Sequence, residues 1–214
     1  MRNIPMFVTE NGAASLTLDQ IPYRKAAYIQ IRDSLNPKAL LLECCEFCRA
    51  AGAEKVYASG NPVVEEYPLY TSVLLFSGNR RLLQETDFIA KSVTEEELDL
   101  WREIYNDRMK DVAGAAYMTM QMAQRYCKAG SGFTVINPDG ELCGIGVVEK
   151  DTVSAVISLY KGMGADILSA LCRYLPSERV LLEVSSSNVR AIRLYRRFGM
   201  ECEGELSRLH EIFL

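Results

Sequence analysis

Apolar and polar positions along the first third of the chain predict a strand–helix–strand motif. Residues 26–32 have the apolar, β-branched and aromatic content of a strand. Asn36 and Pro37 then suit the start of a helix, whose apolar stripe recurs at helical spacing and ends at Gly52. Residues 55–58 predict the second strand. Because one helix connects the two strands, we expect them to be parallel, with a right-handed crossover.

A second motif of the same kind lies near the C-terminus. Residues 153–160 predict a strand, residues 162–164 a glycine turn, and residues 167–175 the buried face of a helix that ends by Pro176. Residues 179–184 predict the strand that follows. The two motifs leave two interpretations open: a duplicated fold whose first copy has degenerated, or the general frequency of this motif in α/β proteins.

The segment between the motifs predicts helices and β-hairpins. Thr94 and Glu97 form a capping-box pattern at a helix start, and residues 137–140, Asn-Pro-Asp-Gly, are a strong turn signal between two strands. We expect Trp101 and Ile104 to face inward. The predicted elements are a strand at 85–93, helices at 94–106 and 115–128, and strands at 133–136 and 142–148, with a second hairpin at 147–153.

This order of elements predicts an α/β fold with a mixed sheet. The short polar interruption at residues 77–79 is the predicted boundary. It divides the chain into an N-terminal α/β region, residues 1–80, and a second domain, residues 81–214.

Composition limits the kinds of partner. The chain has 28 acidic and 24 basic residues and a net charge of -4, which argues against a nucleic-acid surface and slightly favours a cationic partner. No stretch approaches the roughly 20 apolar residues of a membrane helix, and the N-terminus lacks the apolar run of a signal peptide. We therefore expect neither nucleic acid nor a membrane as a partner, and a homodimer is compatible with the sequence.

The seven cysteines suit reduced thiols in a cytoplasm. Cys45 and Cys48 form a CxxC that could indicate zinc or redox chemistry, but His210 is the single histidine of the sequence. Cys44, Cys45 and Cys48 also fall on the apolar stripe of the first predicted helix. The pattern favours core packing over a metal site, so no metal is expected.

The glycine turn is a candidate anion site. Gly162 and Gly164 let the backbone approach a ligand closely. The first amides of the helix, at Gly164, Ala165 and Asp166, have no intrahelical acceptor and lie at the positive end of the helix dipole. The turn is suited to a phosphate or diphosphate, and the alternative is a tight turn without a ligand. We expect the Asp166 carboxylate to point away from it.

Residues 182–200 carry the most specific pattern. They predict a strand, a serine loop and a helix capped by Asn188. Tyr195 lies seven residues after Asn188, so both project on nearly the same side of the helix. The pattern L-E-V-x-x-x-N-x-x-A-x-x-L-Y-x-x-x-G-M resembles the GCN5-related N-acetyltransferase (GNAT) family. The resemblance covers about residues 85–214, including the glycine turn one helix upstream.

The resemblance implies a GNAT-like acyl-CoA N-acyltransferase fold with an N-terminal α/β extension. It implies that acetyl-CoA is the co-substrate and that the acceptor is a primary amine on a small molecule or a peptide. It also implies a cleft between the two central parallel strands, in which strand 153–160 pairs with the pantetheine arm. The cofactor-binding residues implied are Leu159, Tyr160, Lys161, Gly162, Met163, Gly164, Ala165 and Asn188.

The resemblance further implies that Tyr195 is the general acid for the departing thiolate and that Glu183 is the base. Each role has an alternative: Glu183 as a structural carboxylate, Tyr195 as a packing aromatic, and Asn188 as a helix cap alone. The sequence departs from the family at Leu159, where the family usually has Arg or Gln. The family's last strand is also hard to see after residues 201–206. The competing hypothesis is a catalytically weak acyl-CoA-binding or regulatory module.

Overall fold

A computed structural model describes residues 3–213 and divides the chain into two compact units. We call the residues up to Val73, together with those from Glu205 onward, the N-terminal unit. We call Leu74–Gly204 the central unit. The assignment of residues 1–80 and 81–214 to separate domains stays a prediction.

The described residues form eleven strands, six α-helices and three short 3₁₀ turns. The strands are β1 Ile4–Thr9, β2 Gly12–Thr17, β3 Ala26–Ser34, β4 Lys55–Ser59, β5 Leu69–Asn79, β6 Ile89–Ser92, β7 Gly132–Ile136, β8 Leu142–Glu149, β9 Thr152–Ser158, β10 Arg179–Ser185 and β11 Glu201–Glu211. The helices are α1 Ile21–Arg24, α2 Pro37–Ala50, α3 Leu98–Met109, α4 Met120–Lys128, α5 Gly164–Cys172 and α6 Val189–Arg197, and the 3₁₀ turns are Pro62–Glu66, Arg80–Leu82 and Glu95–Glu97.

The N-terminal unit has the strand order β1-β2-β3-β4, followed by the end of β11, which pairs with β4 at His210↔Ala58 and Glu211↔Tyr57. The first three strands are antiparallel, and β3 and β4 are parallel across α2, as the sequence predicts. Asn36 caps α2 by accepting a hydrogen bond from the Ala39 amide at 3.3 Å, which confirms the predicted start of this helix.

The three cysteines of α2 lie in the hydrophobic core of this unit. Cys44, Cys45 and Cys48 are fully buried free thiols. Burial raises the pKa of Cys44 and Cys48 to about 12 and that of Cys45 to about 11. Protonated, inaccessible thiols are poor nucleophiles and metal ligands, so the packing interpretation is confirmed.

The central unit has the strand order β5-β10-β9-β8-β7-β6, with α5 against β8 and β9. Glycines let α5 approach β8 closely. A Cβ atom on Gly146 would stand 2.3 Å from Cδ1 of Leu171, and one on Gly144 would stand 2.5 Å from Cδ1 of Ile167. Since both contacts are shorter than atoms tolerate, these glycines fix the position of α5 and of the turn at its N-terminus.

The predicted helix at 115–128 begins later than expected. α4 starts at Met120, after Thr119, whose hydroxyl accepts from the Met122 amide at 3.2 Å. The preceding residues are held out of a helix by Asn106, which accepts from the Met118 amide at 2.7 Å and donates to the Met118 carbonyl at 3.0 Å. A contact from a different helix thus overrides the local helical pattern.

The predicted strand at 85–93 is also shorter, because β6 contains only Ile89–Ser92. The main-chain groups just before β6 form hydrogen bonds outside the sheet. Arg173 donates to the carbonyls of Thr86 and Phe88, and the Phe88 amide donates to the Thr86 hydroxyl at 3.2 Å. These bonds replace the ladder that a longer strand would form.

Two further differences concern the ends of strands. The last strand, which the sequence analysis could not follow beyond residue 206, continues to Glu211 as β11. β9 ends at Ser158 rather than at residue 160.

Within residues 3–213, no helix combines the length and the apolar character needed to cross a bilayer.

Candidate active site

A V-shaped opening separates β9 from β10 in the central unit. The two parallel strands pair at Leu181↔Thr152 and Leu182↔Val153, yet β9 continues to Ser158 and β10 to Ser185. The strands therefore diverge after their first residues, which leaves main-chain groups of β9 available to a ligand.

The matching strands of the N-terminal unit show no such opening. β3 and β4 are paired at five successive positions, from Ala26↔Lys55 to Gln30↔Ser59. The start of α2 is also closed, because Pro37 has no amide hydrogen and Asn36 caps Ala39. The pair of parallel strands that separates, as a ligand shaped like a pantetheine arm would require, is therefore β9 and β10 in the central unit.

A cavity of about 830 Å³ occupies the opening. Its walls come from β9, from the glycine turn and the start of α5, and from α6, with Met109 and Val112 at one side. Its size is within the range of about 300–1,000 Å³ that is usual for ligand sites. The cleft is therefore large enough for an extended cofactor arm.

The glycine turn presents unpaired amides to this cavity. Gly162 has a φ of 98° and α5 begins at Gly164, both of which line the cavity. Among residues 3–213, the amides from Gly162 to Asp166 have no acceptor at hydrogen-bonding distance and angle. Successive free amides at a helix N-terminus form an anion site.

Asp166 does not compete for this site. Its Oδ1 accepts hydrogen bonds from Nε2 of Gln84 at 2.8 Å and from the Thr86 hydroxyl at 3.0 Å, and Asp166 does not line the cavity. The expectation that this carboxylate points away from the turn is confirmed.

The charged residues that line the cavity are all arginines. They are Arg108 from α3 and Arg190, Arg193 and Arg197 from α6, with no acidic side chain among the lining residues. This positive lining matches a polyanionic ligand. These arginines were not predicted from the sequence, although the spacing of Arg190, Arg193 and Arg197 after the Asn188 cap could have indicated a shared helix face.

Tyr195 lies inside the cleft rather than on its rim. The residue is 5% exposed, lines the cavity, and packs its ring 5.9 Å from that of Phe76. Burial raises the pKa of the Tyr195 phenol above its ordinary value. Its hydroxyl has no hydrogen-bond partner in the described part of the chain. The group is therefore protonated at neutral pH and available to a ligand.

Asn188 caps α6 and also borders the cavity. Its Oδ1 accepts from the Ala191 amide at 3.1 Å, which makes it the N-cap of α6 as predicted. The residue also lines the cavity. Because capping uses the oxygen, its amide nitrogen is left to donate to a ligand.

The eight predicted cofactor residues divide into two groups of four. Gly162, Gly164, Ala165 and Asn188 line it, whereas Leu159, Tyr160, Lys161 and Met163 do not. Lys161 and Tyr160 are exposed, and Met163 packs against the core.

Both the amide and the carbonyl of Leu159 form hydrogen bonds. Its amide donates to the Cys143 carbonyl at 2.9 Å, and its carbonyl accepts from Nη2 of Arg108 at 3.0 Å. Leu159 thus extends the pairing of β9 with β8 by one residue, and Arg108 connects α3 to the start of the turn.

Glu183 is exposed on β10 and does not line the cavity. It alternates along the strand with Leu182 and Val184, both of which are buried in the core with α5 and α6. Glu183 therefore projects from the face of the strand opposite to Leu182 and Val184, away from α5 and α6.

The comparison with protein families agrees with this geometry. The sequence model of the "Acetyltransferase (GNAT) family" matches residues 91–200, about half of the chain. The chain belongs to the GNAT family. This GNAT protein has a mixed α/β fold, as the sequence predicts, and its duplication remains an open alternative.

Among curated proteins, the GNAT chain is similar to the spermine/spermidine N(1)-acetyltransferase of Bacillus subtilis. The two are 42% identical over 50 residues, which is 22% of this chain and 33% of the relative. The chain thus matches about a third of the length of this curated relative.

Among solved structures, the GNAT chain is similar to a GCN5-related N-acetyltransferase from Sphaerobacter thermophilus. The TM-score is 0.59 at 14% identity, covering 94% of this chain and 76% of that one. A GNAT-family acetyltransferase from Colwellia psychrerythraea has a TM-score of 0.55 at 14% identity, covering 97% of this chain and 84% of that one. These similarities show a shared fold.

Proposed function

We propose that this GNAT protein transfers an acetyl group from acetyl-CoA to a primary amine by direct attack, with no metal. The observation that carries the proposal is the set of unpaired amides at the glycine turn, where Gly162, Gly164 and Ala165 line the cleft between β9 and β10. Catalysis is assigned to the domain predicted at residues 81–214.

The residues present fit acetyl-CoA. Amides of the glycine turn would bind the diphosphate, and Lys161 beside them adds positive charge. The unpaired part of β9 would hydrogen-bond the amide groups of the pantetheine arm, and the Asn188 side-chain nitrogen would donate to the same arm. Bound there, acetyl-CoA supplies the activated acetyl group as a thioester.

Tyr195 is the proposed general acid. Its protonated hydroxyl is buried in the cleft and has no acceptor among residues 3–213, so it is available to donate to the departing thiolate. A thiol has an ordinary pKa of about 8.5, below that of a phenol. Burial raises the pKa of Tyr195 further, which keeps the phenol protonated but weakens it as an acid. A thiolate buried beside it would have its pKa raised in the same direction, which offsets part of this difference.

Glu183 is the proposed base, acting through water because it lies outside the cavity lining. We expect Glu183→Gln to lower kcat/KM for the amine about 100-fold at neutral pH, the low end of general-base effects. The loss should shrink at a pH above the pKa of the amine, where the acceptor needs no base. Steady-state rates across pH measure this.

Glu201→Gln is the matched control, because Glu201 is an exposed carboxylate on β11. We expect it to leave the pH profile unchanged. An unchanged profile for Glu183→Gln as well would show that Glu183 is a structural carboxylate.

The acceptor is proposed to be an amine such as a polyamine, an α-amine or a lysine. The similarity to a spermine/spermidine acetyltransferase places polyamines first in this series, and the net charge of -4 suits a cationic acceptor. We expect at least one of spermine, spermidine, an α-amine peptide and a lysine peptide to release free CoA thiol from acetyl-CoA. A kcat/KM of about 10⁴ M⁻¹s⁻¹ or more is expected.

The control is acetyl-CoA without an amine, which measures thioester hydrolysis. If no amine releases thiol above that rate, while acetyl-CoA still raises the melting temperature, the second candidate function holds instead. This is an acyl-CoA-binding module with weak catalysis, favoured by the position of Glu183 outside the cavity lining. Absence of both effects would contradict both functions.

A further inference from the structure

A second cavity lies within the N-terminal unit. Its volume is about 340 Å³, and its walls come from residues 60–65, which follow β4, and from residues 205–210 of β11. All of these residues belong to the N-terminal unit, and none of them lines the cleft between β9 and β10. We call it the N-terminal cavity. The proposed acetyl transfer gives it no function.

His210 forms the most buried polar part of this cavity. The residue is 5% exposed and lines the cavity. Its Nδ1 lies 2.8 Å from the main-chain carbonyl oxygen of Tyr67. Because a carbonyl oxygen only accepts, Nδ1 carries the hydrogen and donates it. The neutral ring therefore has its lone pair on Nε2, which makes Nε2 an acceptor.

Nε2 of His210 is a buried acceptor without a donor. Among residues 3–213, no group forms a hydrogen bond with it. The two ring nitrogens point in widely different directions, and Tyr67, which binds Nδ1, does not line the cavity. Nε2 is thus directed away from Tyr67, toward the cavity side of the ring. Since an unpaired buried polar group lowers stability, a ligand that donates a hydrogen bond to Nε2 is favoured.

The charged residues of the lining favour a cationic ligand. They are Glu65, Glu205 and Arg208, so two carboxylates face one guanidinium and one negative charge remains. Arg208 donates through Nε to Glu205. Its Nη1 lies 3.7 Å from the nearest carboxylate oxygen of Glu65, which is too long for a hydrogen bond. The Glu65 carboxylate can therefore accept from a ligand without breaking a hydrogen bond to Arg208.

The remaining walls suit a short aliphatic stem. Val64 is buried and lines the cavity together with Leu206. The side chains of Glu65 and Arg208 are 57% and 54% exposed, and exposed side chains change rotamer within nanoseconds. A ligand can therefore displace them to reach the buried ring of His210.

We propose that the N-terminal cavity binds a small ligand through a primary ammonium group, which donates to Nε2 of His210 while Glu65 balances its charge. An ammonium group is a compact cation with three donors, so one N–H reaches the ring and another faces the carboxylate. This inference goes beyond the proposed function, because the binding requires neither acetyl-CoA nor any residue of the cleft. It makes the N-terminal unit a ligand-binding unit.

The test uses nuclear magnetic resonance of the histidine ring. His210 is the single histidine of the sequence, so protein labelled with ¹⁵N-histidine gives ring signals from this residue alone. The protein is titrated without acetyl-CoA at pH 8, where a primary amine is a cation. The ligand is n-propylammonium chloride at constant ionic strength. We expect the Nε2 signal to shift saturably toward its hydrogen-bonded position, with a Kd of about 1 mM, which a ligand of about four heavy atoms can reach.

Tetramethylammonium chloride is the ligand control, because it has the charge but no N–H donor. We expect no saturable shift with it. Glu65→Gln should raise the Kd of n-propylammonium about threefold, since one exposed carboxylate contributes little. Glu66→Gln is the matched control variant and should keep the wild-type Kd. Glu66 lies on the same 3₁₀ turn, pairs with Lys38 at 2.9 Å and does not line the cavity.

Three results would overturn the inference. One is the absence of a saturable shift with n-propylammonium, and another is an equal shift with tetramethylammonium, which would mean that only charge is sensed. The third is a ligand-free ring whose hydrogen lies on Nε2 of His210, because that nitrogen would then be no acceptor. Since no acetyl-CoA is present, these results are independent of the proposed acetyltransferase function.

Discussion

Replacing Tyr195 with phenylalanine is expected to lower kcat about 100-fold, the lower end of general-acid effects, while the dissociation constant of acetyl-CoA changes less than about threefold. The ring remains to pack against Phe76, so the variant removes only a hydroxyl that has no partner among the described residues. The loss should therefore fall on the step in which the thiolate leaves. Steady-state kinetics and calorimetric titration with acetyl-CoA measure the two quantities separately.

Tyr174→Phe is the matched control in the same unit. Tyr174 donates its hydroxyl to the Ala90 carbonyl at 2.6 Å and does not line the cavity. We expect that variant to lose some stability and to keep its turnover. A Tyr195→Phe protein with wild-type kcat would show that Tyr195 only packs in the core and is not the general acid. Its burial also allows this alternative.

Replacing Gly162 with valine is expected to weaken acetyl-CoA binding at least about tenfold. Gly162 has a φ of 98°, and an L-residue in the left-handed region costs about 1–2 kcal/mol, more with a branched β-carbon. The turn relieves this strain by rotating toward negative φ, which redirects the amides from Gly162 onward away from a common anion. Calorimetric titration measures the loss of affinity.

Gly140→Val separates the loss of binding from general strain. Gly140 has a φ of 84° and lies in the turn between β7 and β8, and a Cβ atom added there would meet open space, as it would at Gly162. Both variants should therefore lose a similar amount of stability, but only Gly162→Val should lose affinity. Equal affinity in the two variants would show that the turn does not bind the cofactor.

Much of the site was predictable because its signals are local. Asn188 as a helix cap, the glycine turn and the helix–turn spacing are properties of neighbouring residues. The parallel pairing of β9 with β10 follows from the single helix between them. These features locate the candidate anion site and place Tyr195 on the same side of α6 as Asn188.

Other features depend on contacts between distant parts of the chain, which local patterns do not encode. The delayed start of α4 results from Asn106 binding Met118. The separation of β9 from β10 is not visible in the sequence, which predicts similar motifs for β3-α2-β4 and β9-α5-β10. The strands of the first motif pair at five positions and those of the second at two. The exposed position of Glu183 likewise follows from which face of β10 meets α5 and α6.

Three strands were not assigned from the sequence. Small and polar residues explain this for β2, Gly12–Thr17, whereas β1 and the first part of β5 have the apolar and aromatic content of strands but no clean alternation of apolar and polar positions. Residues 77–79, which the sequence analysis used as a boundary, are the last residues of β5. Here pairing with neighbouring strands decides the structure where local propensity is weak.

A crystal structure of the protein with bound CoA tests the central claim most directly. We expect diphosphate oxygens at about 2.7–3.1 Å from the amide nitrogens between Gly162 and Ala165, within ordinary hydrogen-bond distances, and the sulfur beside the Tyr195 hydroxyl. CoA bound outside the opening between β9 and β10, with those amides contacting only water, would contradict the account.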